Sequence, residues 1–105
     1  MDVSWKLQIH QFIDDVRQNL DAARVEPGFT RGDPRLRALA AATVEALAAE
    51  RGQDAAPPWA VNVPPLAHPW FVSGIENLKA AALVESPVYF RRRNIFVLGN
   101  FLARA

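Results

Sequence analysis

The segment Asp33–Gly52, DPRLRALAAATVEALAAERG, decides how the rest of the chain is read. Asp33 stands where an N-cap carboxylate accepts free backbone N–H groups, and Pro34 follows at the first helical position, where its missing N–H costs nothing. Leu36, Leu39, Ala40, Thr43, Val44, Leu47 and Ala48 then recur at three- and four-residue spacing, which predicts an amphipathic helix. Arg51-Gly52 closes it, because glycine readily takes the left-handed conformation that follows a last helical turn.

Toward the N-terminus, Trp5, Ile9, Phe12, Ile13, Val16, Leu20 and Ala23 form one apolar stripe and predict a helix from Val3 to about Arg24. Its outer face, with Lys6, Gln11, Asp14, Asp15, Arg17, Gln18 and Asp21, needs only water. Glu26-Pro27-Gly28 ends it. With a short connection, the two helices are expected to pack as an antiparallel hairpin over residues 1–52.

Toward the C-terminus, Pro57, Pro58, Pro64, Pro65 and Pro69 interrupt residues 53–72, a density that neither a helix nor a central strand tolerates. Trp59, Val61, Val63, Leu66 and Trp70 are too apolar for a solvated linker, so this stretch is expected to lie over the hairpin as an irregular packed arm. Residues 73–105 open on Ser73-Gly-Ile-Glu76, which matches a capping box and predicts a helix to about Glu85. Ser86-Pro87 repeats the cap-then-proline pattern and predicts a short turn or helix over Val88–Arg93, which Asn94 closes in the left-handed region. Ile95-Phe-Val-Leu98 then reads equally as a short buried strand or as buried coil. The whole is a mainly α, single-domain reading of residues 1–105.

Composition narrows the function. The chain has 105 residues, half of them hydrophobic and 22% charged, close to the average for a folded domain. No run approaches the roughly 20 apolar residues of a spanning helix, and Met1-Asp-Val-Ser-Trp-Lys6 lacks the basic and apolar regions of a secretory leader, so a cytoplasmic protein without membrane contact is expected. The absence of cysteine excludes disulfides, thiolate catalysis and cysteine-bound metal. His10 and His68 are the only histidines and have no ligand spacing, Asp14 and Asp15 diverge by about 100° around a helix, and no serine lies in a G-x-S-x-G turn. No catalytic site, metal or other cofactor is therefore expected.

Charge is uneven. Residues 1–56 carry 7 basic and 9 acidic side chains and residues 57–105 carry 5 and 2, so the halves differ in sign at −2 and +3. The focus of the basic half is Arg91-Arg92-Arg93, preceded by Tyr89-Phe90. Guanidinium forks suit carboxylate or phosphate, and aromatic neighbours support them by stacking. Successive helical residues point about 100° apart, so two arginines are expected to share a face while the third pairs with an internal carboxylate. The candidate partner-binding residues are Arg91, Arg92, Arg93, Tyr89, Trp70, Phe71 and Trp59; for the aromatics the competing reading is burial in the core.

The C-terminal stretch Pro69-Trp-Phe71, Asn77-Leu-Lys79, Ala82-Leu-Val-Glu-Ser-Pro87, Phe90-Arg-Arg-Arg-Asn-Ile-Phe-Val97 and Leu102-Ala-Arg104 resembles the ending of a family of small bacterial proteins. That resemblance implies an antitoxin-like protein whose partner is a nucleotidyltransferase-like toxin. Taken together, these readings give a non-enzymatic protein-interaction domain, with a small DNA-binding regulator that contacts phosphates through the same arginines as the alternative. The alanine-rich faces of the second and third helices also suggest a homodimer.

Overall fold

The helix of residues 33–52 becomes the centre of the molecule. In the computed structural model, which describes residues 4–52, 56–74 and 76–102, α2 spans Pro34–Glu50 and Asp33 Oδ1 accepts from the N–H groups of Arg35 at 3.0 Å and Leu36 at 3.3 Å. Gly52 follows with a φ of +71°, as expected of the residue beyond the last turn. The expected stripe is too narrow, however. Ala38, Leu39, Ala40, Ala41, Ala42, Thr43 and Val44 are buried in unbroken succession, so α2 is covered round almost its whole circumference. Alanine makes this enclosure possible, because a methyl group lets neighbours approach closely. Thr43 satisfies its buried hydroxyl by donating to Leu39 O at 2.8 Å.

The first helix, α1, runs over Ser4–Gln18 and buries Trp5, Ile9, Phe12, Ile13 and Val16. It stops earlier than its apolar spacing suggests. Asn19 is extended and its Oδ1 accepts from Asp21 N–H at 3.1 Å, so a side chain captures a donor that a continuous helix would use, and the chain restarts as a 3-10 turn over Leu20–Ala23. A second 3-10 turn at Gly28–Thr30 leads to α2.

The antiparallel hairpin does not form. Trp70 lies against Trp5 near the start of α1, with ring centroids 5.5 Å apart, and against the Arg35 guanidinium at the start of α2, 5.4 Å from its ring. At the opposite ends Arg17 pairs with Glu50 at 3.2 Å. Helices of this length rise about 20 Å, so both pairs of ends can meet only if α1 and α2 run in the same general direction. The connection, residues 19–33, is long enough to return the chain alongside α1, and Phe29 packs on Phe12 as it passes.

The proline-rich arm is more regular than its composition suggests. Pro57 and Pro58 occupy the start of a one-turn helix, α3, Pro58–Val61, where proline is tolerated, and Trp59 Nε1–H anchors it by donating to Ala23 O at 2.7 Å. Beyond Pro69 the chain forms strand β1, Trp70–Phe71, which pairs in parallel with β2, Ile95–Phe96, in the register Trp70 with Ile95 and Phe71 with Phe96. Of the two readings of Ile95–Leu98, strand is therefore correct over its first half. Trp70 N–H donates to Asn94 O at 2.9 Å and Val72 N–H to Phe96 O at 3.1 Å.

Between the strands lie a 3-10 turn at Glu76–Leu78, α4 at Lys79–Glu85 and α5 at Val88–Arg91. The helix expected from Ser73 thus begins at Lys79, with no side-chain cap on its first turn; Ile75 of the expected capping box lies outside the described residues. Ser86 is not the N-cap of α5, a position Pro87 takes; it is the C-cap residue of α4. Its buried hydroxyl accepts from Val97 N–H at 2.7 Å and lies 2.6 Å from Ala82 O and 2.9 Å from Val97 O, pinning the end of α4 to the residue after β2. Asn94 does turn the chain with a φ of +65°, and its side chain donates to Leu66 O at 3.0 Å.

Replacing Ser86 with alanine removes the side-chain acceptor of the buried Val97 N–H. We expect a loss of about 1–3 kcal/mol in unfolding free energy, read by chemical denaturation, because a stranded buried donor costs its full desolvation.

Candidate protein-interaction surface

The three consecutive arginines have three different environments. Arg93 turns inward: its side chain is only 6% exposed, Nη1 pairs with Glu45 Oε1 on α2, and Nη2 donates to Ala60 O on α3 at 2.7 Å. It is the arginine that finds an internal carboxylate, and its guanidinium is withdrawn from any exposed patch. Arg92 is half-exposed, lies 5.2 Å over the Tyr89 ring and reaches Glu45 Oε2 at 3.4 Å. Arg91 is exposed and donates through Nε to Ser86 O at 2.7 Å, which leaves the rest of its fork at the surface. Only Arg91 and Arg92 therefore remain open to a partner.

The aromatic candidates do not gather around them. Trp70 is wedged between Trp5 and Arg35, while Phe71 points the other way, stacked on Phe96 at 5.0 Å with Lys79 5.3 Å from its ring. Trp59 is half-buried on its bond to Ala23. These three mainly pack the arm and the strand, and only Tyr89 lies with the arginines.

In their place the structure offers aliphatic side chains that the sequence reading passed over. Among the described residues the strongly exposed large hydrophobics are Leu7, Val25, Val61, Leu83, Val84 and Val88. Leu83 and Val84 stand in the last turn of α4 and Val88 opens α5, so three of the six lie within six residues, beside Arg91 and Arg92. A fourth, Val61, lines a pocket of about 230 Å³ together with Glu45, Val63, Pro65, Arg92 and Arg93. The α4–α5 bend thus exposes aliphatic side chains, and along the chain the exposed Arg91 and Arg92 follow it. Its signal in the sequence is Ala82-Leu-Val-Glu-Ser-Pro-Val88, which holds more aliphatic residues than a seven-residue helix can bury on one side.

Among the described residues no group of three His, Cys, Asp or Glu side chains could hold a metal ion, and no helix is long and apolar enough to cross a membrane. His68 is exposed, and Asp15 lies on the solvated face of α1, where it accepts from Gln11 at 2.9 Å.

Glu45→Ala leaves the Arg93 guanidinium buried without its counter-charge. This variant should lose about 3–5 kcal/mol of stability, while Glu45→Leu combined with Arg93→Met should recover most of it, a contrast that denaturation of the single and double variants measures. Compared with protein-family models, curated proteins and solved structures, the chain matches none.

Proposed function

We propose that this chain is a non-enzymatic protein-interaction domain, antitoxin-like in kind, that docks a partner protein through the corner formed by Leu83, Val84, Val88, Arg91 and Arg92. The observation that carries this reading is the concentration of exposed aliphatic side chains at one bend of the chain, beside two arginines whose charge remains at the surface. An apolar centre flanked by arginine is the composition expected of a protein-binding patch. The basic edge selects a partner with acidic residues around an apolar centre. The C-terminal resemblance points to a nucleotidyltransferase-like toxin as that partner, and the absence of cysteine fits a cytoplasmic setting.

This reading moves the contact from the tryptophans to the α4–α5 corner. It also weakens the phosphate-binding alternative: with Arg93 spent on Glu45, the arginine run presents two cations rather than three, and duplex binding draws on a row of them. The homodimer keeps only part of its basis: the alanines of α2 other than Ala49 are enclosed, while Ala80 on α4 is exposed.

The test is comparative capture from the native cell with the tagged chain and with a triple variant, Leu83→Ser, Val84→Ser and Val88→Ser. Exposed substitutions of this kind leave stability within about 0.5 kcal/mol each. One protein recovered in stoichiometric amount by the parent chain, and at least about tenfold less by the variant, is the expected result, since buried anchors contribute 1 kcal/mol or more apiece. Equal recovery by both chains, or nucleic acid that washes off at moderate salt in place of a protein, would falsify it.

A further inference from the structure

The pocket between α2, α3 and the end of α5 has more hydrogen-bond donors than acceptors. Arg92 and Arg93 bring five N–H donors each. Against them stand one carboxylate, Glu45, shared by both guanidiniums, and the carbonyl of Ala60, with Tyr89 O at a marginal 3.5 Å from Arg93 Nη1. The cluster has a net charge of +1. Two observations mark the donor excess as unmet. Arg92 meets Glu45 at only 3.4 Å while its side chain is 56% exposed, so most of its fork has no acceptor among the described residues. Arg93 Nε is buried and finds no acceptor among the described residues. The pocket walls are aliphatic: Val61, 55% exposed, with Val63 and Pro65.

We infer that this pocket is a carboxylate-binding site, and that it receives an aspartate or glutamate side chain of the protein partner. A carboxylate has only acceptors, which is what the cluster lacks, and its single charge matches the local excess. Val61, Val63 and Pro65 pack the aliphatic stem, and Arg92 receives the charged end. The Tyr89 ring, 5.2 Å from the Arg92 guanidinium, restrains that side chain before binding and lowers the freedom to be lost. A phosphodiester carries the same single charge but lacks the short aliphatic stem that Val61, Val63 and Pro65 can pack. The inference rests on the interaction reading above and makes it more specific: the acidic residue of the partner enters beside Val61, while its apolar residues cover Leu83, Val84 and Val88.

The site can be probed without the partner. The arginine Nε–Hε resonances of the 15N-labelled chain are followed as N-acetylglutamate α-amide is added, with the neutral N-acetylglutamine α-amide and with dimethyl phosphate as controls. The expected result is a saturable shift of two arginine signals with the glutamate compound alone. Arg92→Gln, half-exposed and compatible with the fold, should weaken that response by about tenfold or more, the value of a charge-assisted hydrogen bond. A linear drift, an equal response to the glutamine compound, or tighter saturation by dimethyl phosphate would each overturn the site. Such a failure leaves the apolar corner untouched if partner capture still depends on Leu83, Val84 and Val88. Saturable binding of the glutamate compound without any partner capture would instead uphold the pocket and count against the interaction reading alone.

Discussion

Burying the Arg93 guanidinium is the constraint on which much of the structure depends. A cation removed from water must meet a counter-charge and acceptors, or the fold loses several kcal/mol. Arg93 meets them by drawing Glu45 from α2 and the Ala60 carbonyl from α3 to one point. Its backbone carbonyl accepts from Leu66 N–H at 3.0 Å, and the next residue, Asn94, reaches Leu66 with its side chain and Trp70 with its carbonyl. Two residues thus dock the proline-rich arm and set the register of the parallel pair. Without the inward turn of Arg93, the arm would have few backbone partners, because its prolines supply no N–H groups.

Around that point the molecule is organised as a wrapped helix. An alanine-rich α2 allows α1, α3 and α5 to come close, and Leu39 and Leu47 of α2 fill the space together with Ile9, Ile13 and Val16 from α1 and Phe90 from α5. Phe90 meets Phe101 edge-on at 5.7 Å, which brings the end of the described chain into the same core. Arg17 of α1 closes this arrangement by donating to Leu102 O at 2.8 Å as well as pairing with Glu50.

The interaction surface arises where this wrapping runs out. α4 has seven residues and buries only Ala82, since the bend at Ser86-Pro87 turns the chain inward before a second face can pack. Leu83, Val84 and Val88 are left outside for that reason, and the turn that follows α5 directs Arg93 in while Arg91 and Arg92 stay out. The arginine run was visible in the sequence, as was the expectation that one member would pair internally; which member did so depended on where Glu45 stood across 48 positions of chain. The aliphatic corner was less visible because Leu83 and Val84 read as an ordinary apolar helix face.

The sequence by itself determined the local elements whose signals are short in range: the capped start of α2 at Asp33-Pro34, its end at Gly52, the apolar stripe of α1, the bend at Ser86 and the left-handed Asn94. Each depends on a side chain and a backbone group within a few residues, so the residue types suffice. Tertiary structure decided the rest. The common direction of α1 and α2 follows from contacts at both their ends, Trp70 at one and Arg17–Glu50 at the other, which no spacing within either helix encodes. The strand at Trp70–Phe71 exists because Ile95–Phe96 is there to pair with it, and the role of Ser86 is set by Val97 rather than by the helix that follows it. Two-residue strands and shared carboxylates carry almost no local preference; their free energy comes from distant partners, and only the fold supplies those.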